Sequence, residues 1–366
     1  MLSFDPNHFA ERQSSWLQLD GPEVDVVVSC RVRLARNLEG YSFVSRLEPE
    51  RARELADAVR AAIDASSLAG GALYVPMEGA SPLVRMLLQE RHLISRDLAA
   101  VEDRTGPRPG RAVVFDQDEV LSIMVNEEDH LRLQGISGGF SPRDAWSRVL
   151  NADRVLEEAL EYSFTERLGY LTACPTNVGT GMRASVMLHL PALGMIPTEL
   201  QKVIHAAQRT SLAVRGMYGE GSRAVGDFYQ ISNQITLGCS EERLLTDLEQ
   251  LVPAIVAFER RVRETVMQRE PEKTSDRVSR SLGTLRSARS LTTDVALLHL
   301  SNVRLGVCLG MITGVSPLRL NHLAIQIQRG HVHALSGGTP EESLAEPTQR
   351  DRMRASFLRR QMASIS

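Results

Sequence analysis

Apolar and polar positions change rhythm several times along this chain. In residues 182–190 they alternate: Arg183, Ser185, Met187 and His189 fall on one side of an extended chain, and Ala184, Val186, Leu188 and Leu190 on the other. Residues 24–32, VDVVVSCRV, are also strand-like and run into Arg31, Arg33 and Arg36. Residues 111–115 and 120–125 predict two strands around an acidic turn. Residues 212–218 predict another strand, and residues 228–232 and 235–237 a hairpin around Asn233 and Gln234. A helical repeat covers residues 49–67, with Pro49 in the first turn and Leu55, Ala58, Val59 and Ile63 as its apolar stripe. Ser141 and Pro142 open a second helix, expected to reach residue 164, with Trp146, Val149, Val155, Leu156 and Leu160 facing the core. Residues 197–209 predict a third. Residues 68–110 read as short apolar pieces between turns, and residues 133–139, ending in Gly138 and Gly139, as a mobile loop.

Most strand-to-strand links before residue 240 are too short for a helical crossover. That predicts an α+β fold: a largely antiparallel sheet flanked by helices. From Ser240 onward the pattern is almost purely helical, at residues 240–269, 293–309, 317–328 and 347–362, with a turn-rich break at 330–338. The expected division is a catalytic-type domain over 1–240 and an all-helical domain over 241–366.

Composition narrows the function classes. The chain has 366 residues, 43% hydrophobic and 24% charged, with a net charge of -3, which gives no reason to expect bulk nucleic-acid binding. Cys30, Cys174, Cys239 and Cys308 are scattered, with no CxxC pair for a metal knuckle or disulfide scaffold. Neither a signal-like N-terminus nor an apolar run long enough for a membrane is present, so a cytoplasmic protein is expected. Of 42 Lys and Arg residues only Lys202 and Lys273 are lysine, so any anion site must be built mainly from guanidinium groups.

Three stretches carry candidate chemistry. Cys174, Pro175, Thr176 and Asn177 precede a turn of Gly179, Thr180 and Gly181, and then Arg183. Such a turn can aim backbone N–H groups at an anion, with the arginine as a fork for phosphate oxygens; it also reads as a plain Gly-rich hairpin. Arg31 and Arg33 point the same way on a strand, around an anion or at a solvated edge. Glu127, Glu128 and Asp129 follow a strand with Arg132 close by, either as a working acidic cluster or as a surface turn. Arg31, Arg33, Arg132, Arg183 and Arg215 all lie at predicted strands or strand ends, and gathered in one cleft they suit a nucleoside triphosphate. Neither a P-loop nor the Gly-loop set of the protein kinases occurs, so phosphate transfer here would use guanidinium clamps and Mg²⁺.

The segments SCRVRLARNLEGYSF (29–43), VNEEDHLR (125–132), LTACPTNVGTGMRASV (171–186) and RGMYGEG (215–221) resemble the guanidino kinase family, which includes the phosphagen kinases. The order and spacing agree, and the resemblance spans nearly the whole chain. Within the family the chain is most similar to the bacterial protein-arginine kinases, which phosphorylate arginine side chains of proteins. Two features favour that branch. Only 29 residues precede Cys30, where phosphagen kinases carry an added helical domain, so a more open cleft is expected. Gly221 follows Glu220, where phosphagen kinases have His.

The resemblance implies residue roles. Arg31, Arg33, Arg132, Arg183 and Arg215 would hold the ATP phosphates, with Mg²⁺ on those phosphates and no protein metal ligand. Glu128 would grip the target guanidinium and accept its proton, and Glu220 would grip its other face. Carboxylates are needed because a guanidinium, with a pKa above about 12, is almost always protonated and a poor nucleophile. Cys174, with thiolate character, would tune and position the substrate, and Thr176 and Asn177 would shape the pocket. His92 and His189 read as ordinary packed or surface histidines; the role of His130, and the identity of any adenine-contacting histidine, stay open. Arg350, Asp351, Arg354 and Ala355 match an RDxxRA signature, which implies a second site that binds phosphoarginine and stimulates the kinase. Arg350 and Arg354, four apart on a helix, would share one phosphate. The family further implies a homodimer, a zinc-containing activator protein and a Clp-type chaperone–protease that degrades tagged proteins in stress response. Two other readings are a kinase of a small free guanidino compound and a catalytically weak phosphoarginine-binding protein.

Overall fold

The computed structural model describes residues 5–18, 21–100, 108–216, 224–339 and 345–365. The strands described are β1 (Val27–Arg36), β2 (Leu73–Pro76), β3 (Ala112–Phe115), β4 (Leu121–Val125), β5 (Leu131–Gly138), β6 (Phe164–Thr165), β7 (Gly169–Tyr170), β8 (Met182–His189), β9 (Leu212–Gly216) and β10 (Phe228–Asn233). β6 and β7 pair with each other. The other eight form one sheet in the order β2-β3-β4-β5-β1-β8-β10-β9, and every neighbouring pair is antiparallel. The helices are α1 (Pro6–Glu11), α2 (Pro49–Asp64), α3 (Pro82–Glu90), α4 (Arg96–Ala99), α5 (Pro142–Glu157), α6 (Pro191–Met195), α7 (Pro197–Arg209), α8 (Glu241–Arg269), α9 (Pro271–Ser287), α10 (Thr293–Cys308), α11 (Pro317–Gln326), α12 (Arg329–Leu335) and α13 (Pro347–Met362). The architecture is the expected α+β arrangement.

The alternation of β8 decides how the sheet is covered. Ala184, Val186 and Leu188 are fully buried on one face, in a single apolar cluster with Val32 and Leu34 of β1 and Leu133 of β5. Helices cover that cluster with Leu55 and Val59 of α2, Val149 and Leu156 of α5, Val203 of α7, and Leu248 and Val256 of α8. The other face is divided. Over β2, β3 and β4 it is covered by Phe9 of α1 and Leu83 and Leu87 of α3. From β5 to β9 it carries the arginines and other polar side chains, beside a small apolar cluster of Ile136 and Phe228 with Trp16 and Ile325.

Several expectations need correction. Residues 133–139 are not a mobile loop but most of β5, a central strand. Gly135 is required there because a Cβ would stand 2.5 Å from the Ala145 carbonyl oxygen of α5. Residues 235–237 form no hairpin strand. Both edges of β10 are already taken by β8 and β9, and the buried Asn233 side chain binds Ala184 N–H, the Met182 carbonyl and the Ile235 carbonyl instead. The helix begun at Pro142 ends at Glu157 and leaves Phe164 exposed. The break expected at 330–338 holds α12, whose first N–H groups, of Gly330 and His331, donate to Glu90.

The expected division after residue 240 falls just before α8. That helix packs into the core of the sheet, whereas a separate apolar cluster gathers Val278, Leu285, Leu297, Val303, Leu323 and Leu358 of the later helices. This second unit is docked on the first. Arg304 of α10, itself buried, donates to the Val24 and Asp25 carbonyls and to Nδ1 of His189. No described helix is long and apolar enough to cross a membrane.

One buried ion pair ties β1 to α5. Arg36 donates through Nε and Nη2 to both oxygens of Asp153, at 3.1 and 2.8 Å, and through Nη1 to the Thr180 carbonyl at 3.0 Å. Its guanidinium lies 3.5 Å from the centre of the Tyr170 ring. Removing one partner strands a buried charge, so Asp153→Ala should lower unfolding stability by about 3–5 kcal/mol. Chemical denaturation checks this, and a loss under ~1 kcal/mol would show that the pair is not structural.

Candidate active site

The antiparallel register brings the five arginines to one face of the sheet. On β1, Arg31 and Arg33 share a side. Arg33 stands opposite Arg183 of β8 and Gln134 of β5. Arg132 is opposite Ala35, again on that side. Met187 of β8 faces Gln230 of β10, which faces Arg215 of β9, so Arg215 joins the same surface. Arg36, of opposite parity on β1, points away into its ion pair with Asp153.

Like charges held side by side show their cost. Burial pushes the Arg31 guanidinium down to about 10, and Arg132 and Arg183 add to the push. Burial also drives Arg33 well below its ordinary value, with Arg31, Arg132 and Arg183 adding to it. Nε of Arg33 is buried with no hydrogen-bond partner among the described residues. A multiply charged anion satisfies both needs: it supplies acceptors and offsets the repulsion.

The acidic turn sorts its residues into different jobs. Asn126 takes the left-handed conformation at φ 53°, and its amide donates to the Ala52 and Gly110 carbonyls. Glu127 is fully buried and accepts from Arg132 at 2.7 and 2.8 Å. Burial alone would raise Glu127, but Arg132, Ser95 and the Glu128 N–H outweigh it and hold the carboxyl below its ordinary value. Glu128, by contrast, keeps 41% of its side chain exposed, with one contact to Arg132 at 3.2 Å. Burial of the remainder raises its carboxyl, helped by Asp129 and Glu127 against the pull of Arg132. Of the two glutamates only Glu128 has oxygens open to a substrate and a proton affinity shifted toward that of a base.

Asp129 and His130 hold this turn against its neighbours. Asp129 Oδ1 accepts from the Ala173 N–H at 2.6 Å and from the Asn37 amide at 2.7 Å. The bond to Ala173 pins the residue before Cys174, so the acidic turn and the cysteine loop share one anchor. His130 is buried, accepting from the Leu38 N–H through Nδ1 and facing the Ser42 carbonyl through Nε2. Burial lowers its pKa. A neutral ring carrying its proton on Nε2 satisfies both contacts, which gives His130 a structural role.

Cys174 is half-buried, with Sγ 3.0 Å from Oγ1 of Thr176. Asn177 is buried and closes a tight turn through its N–H to the Cys174 carbonyl at 2.9 Å. Beyond it Gly179, at φ 113°, passes so close to Thr236 that a Cβ would meet its carbonyl oxygen at 2.6 Å. Thr236 Oγ1 bridges the Thr176 and Val178 carbonyls at 2.9 and 2.6 Å. Glu220 lies outside the described residues.

A cavity opens beside Arg31 on the arginine face. Ser29, His92, Met187 and Gln230 line it, together with Trp16 and residues of α11. His92 sits at φ 64°, and burial, then Arg31, push its pKa down to about 4. It therefore presents a neutral imidazole at pH 7. His189 is different: it is fully buried, bonded to Ser301 and Arg304. Among the described residues no group of three or more His, Cys, Asp or Glu side chains could hold a metal ion.

The RDxxRA helix departs from the i, i+4 expectation. Arg354 is buried and donates to the Ile327 and Leu291 carbonyls and to Asp351, at 2.7, 2.7 and 2.6 Å. It is a structural tie and not a free fork. Ala355 is fully buried. Arg350 is half-buried and bonds the Ala345 carbonyl, so of the four residues Arg350 and Asp351 lie nearest to solvent. Sequence spacing alone gave no sign of this split.

Comparison with known proteins agrees with this geometry. Residues 54–262 match the family model of the ATP:guanido phosphotransferase C-terminal catalytic domain, and residues 271–366 match that of the protein-arginine kinase McsB C-terminal domain. A protein-arginine kinase from Pelotomaculum thermopropionicum is 44% identical over 96% of this chain and 96% of its own length. One from Bacillus subtilis is 40% identical over 95% of this chain and 93% of its own. Among solved structures, a lombricine kinase aligns with TM-score 0.57 and 27% identity over 69% of this chain and 70% of that one. A duplicated taurocyamine kinase from Schistosoma mansoni aligns with TM-score 0.59 and 26% identity, over 74% of this chain and 41% of that one. With the catalytic-domain match covering more than half of the sequence and these relatives aligned almost end to end, the chain belongs to the ATP:guanido phosphotransferase family, in its protein-arginine kinase branch.

Proposed function

We propose that this protein transfers the γ-phosphoryl group of ATP to the guanidinium of arginine side chains in proteins. The observation that carries the reading is the convergence of five arginines on one sheet face, ending at an open Glu128 and the Cys174 loop tied to it through Asp129. Arg31, Arg33, Arg132, Arg183 and Arg215 would hold the triphosphate and offset charge as the phosphoryl moves. The orphaned Nε of Arg33 fits a phosphate oxygen. Mg²⁺ would ride on the phosphates, where it screens their charge. The base would occupy the cavity beside Arg31.

Glu128 would receive a substrate guanidinium through two hydrogen bonds and take one of its protons as nitrogen attacks phosphorus. Glu127, locked to Arg132, keeps the surrounding charge fixed while Glu128 works. Thr176 and Asn177 fix the loop that presents Cys174, which positions the substrate. Glu220 would hold the other face of the guanidinium. Arg350 and Asp351 would form the ligand side of a phosphoarginine site, with Arg354 and Ala355 as its foundation. The catalytic unit extends in this reading through α8 to about residue 269, and α9 to α13 form the second unit. A homodimer, a zinc-containing activator and Clp-type degradation of the tagged protein complete the reading.

The direct test is labelled ATP with casein, free arginine or creatine, followed by acid. A P–N label on casein that is lost in acid supports the reading. Label on free arginine alone favours a small-molecule kinase, and no label on any of the three rejects both kinases. Glu128→Gln should lower kcat about 10²- to 10⁴-fold while KM for ATP stays within about twofold; retained turnover would remove Glu128 from the mechanism. Because Glu128 works deprotonated and its carboxyl is raised, kcat/KM should fall with decreasing pH at a midpoint above that of an ordinary glutamate. A pH–rate profile flat down to the ordinary range would contradict this. For the second site, Arg350→Ala should abolish stimulation by phosphoarginine. Arg354→Ala should instead cost stability, about 1–3 kcal/mol for each carbonyl left unpaired, as read from thermal unfolding.

A further inference from the structure

The cavity beside Arg31 is not built by the sheet alone. Its opposite wall comes from the second unit, through Asn321, Ala324 and Ile325 of α11, and its end from Trp16 in the segment before β1. Ile325 and Trp16 pack in one apolar cluster with Val28, Ile136 and Phe228. α11 is held over the sheet from both sides in sequence. Arg304 anchors α10 to residues 24 and 25, and Glu90 caps α12 two residues before His92, another lining residue of the cavity.

Two polar atoms in this wall lack partners. Asn321 is 4% exposed and Trp16 is 3% exposed. Nδ2 of Asn321 and Nε1 of Trp16 are both buried with no hydrogen-bond partner among the described residues. The orientation of the Asn321 amide is fixed by chemistry. Its Oδ1 accepts from Nε of Arg304 at 3.0 Å, and a guanidinium can only donate, so the NH₂ must be the end left over. An indole N–H is likewise donor only. A buried donor left unpaired is costly, and the two residues that carry these donors line one cavity.

We propose that Asn321 and Trp16 are specificity-determining donors for the nucleotide base, reading acceptor atoms on its edge. This rests on the proposed placement of the base in the cavity, and it assigns part of that recognition to the helical unit and the N-terminal segment. Donors suit the ring nitrogens of adenine. Guanine presents a ring N–H on its pairing edge, where adenine presents an acceptor. Base selection in this chain is thus shared between parts of the fold far apart in sequence, with Arg304 as the residue that orients Asn321.

The test uses the full-length protein and three variants. Trp16→Phe removes a donor and keeps an aromatic ring. Asn321→Asp keeps the acceptor for Arg304 and removes the donor. Met187→Trp fills the cavity from the sheet side. Trp16→Phe and Asn321→Asp should each raise KM for ATP about three- to tenfold, with kcat within about twofold. Both should also reduce the preference for ATP over GTP in kcat/KM. Inhibition by inorganic tripolyphosphate, which meets only the arginines, should stay unchanged in both; a general loss of structure would weaken it too. Met187→Trp should raise KM for ATP more than either. If Met187→Trp raises KM and neither donor variant changes KM or base preference, the donor assignment is overturned while the placement of the base stands. If Met187→Trp leaves KM unchanged, the base lies elsewhere and both fall.

Discussion

The site depends on an apolar layer strong enough to hold like charges side by side against their repulsion. Arg33 and Arg183 sit directly across from each other on β1 and β8, with Arg31 two residues along and Arg132 on the next strand. Such an arrangement is unfavourable by itself. It survives because the reverse face of the same strands is a continuous apolar layer under α2, α5, α7 and α8. A one-residue slip of any strand would bury the arginines and expose that layer, so hydrophobic burial fixes the register and the register fixes the charge cluster. Of these cations Arg132 has carboxylate partners, in Glu127 and Glu128, and its pKa is raised although burial opposes it. Burial first, and then their cationic neighbours, hold Arg31 and Arg33 below their ordinary values, and an anion among them would offset that repulsion.

The same economy governs the acidic turn. Five consecutive residues, from Asn126 to His130, divide into a left-handed corner, a buried counter-charge, an exposed carboxylate and two anchors. The anchors run to different parts of the chain, Asp129 to the loop before Cys174 and His130 to residues 38–42. A carboxylate carried on a turn anchored at both neighbours is preorganised charge, unlike a freely solvated one. Glycine serves the same end at Gly179, where only a missing Cβ lets the loop pass Thr236.

Much of this was legible in the alternation of β8 and in the pairing of Arg31 with Arg33. Parity also separates Arg36 from those two, since it falls on the other side of the strand, yet only the Asp153 contact shows what it does. Residues 133–139 misled because glycine is a loop signal, whereas Gly135 serves close helix–sheet packing. α9 escaped notice because its buried side includes Thr274 and Ser281 beside Val278, Leu282 and Leu285, which blurs the apolar stripe. In the RDxxRA helix, spacing placed Arg350 and Arg354 on one face but could not say that Arg354 gives its hydrogen bonds to the Ile327 and Leu291 carbonyls. Trp16 and Asn321 carry no local pattern at all; their meaning comes from where distant segments meet.

The position of α11 has a consequence for how the molecule comes into being. The arginine-bearing strands are all synthesised once residue 216 is made, but the wall that encloses the cavity beside them waits for residues 321–325. A nascent or prematurely ended chain therefore presents the cationic surface without its enclosure. Completion of synthesis, and not merely folding of the sheet, closes that compartment.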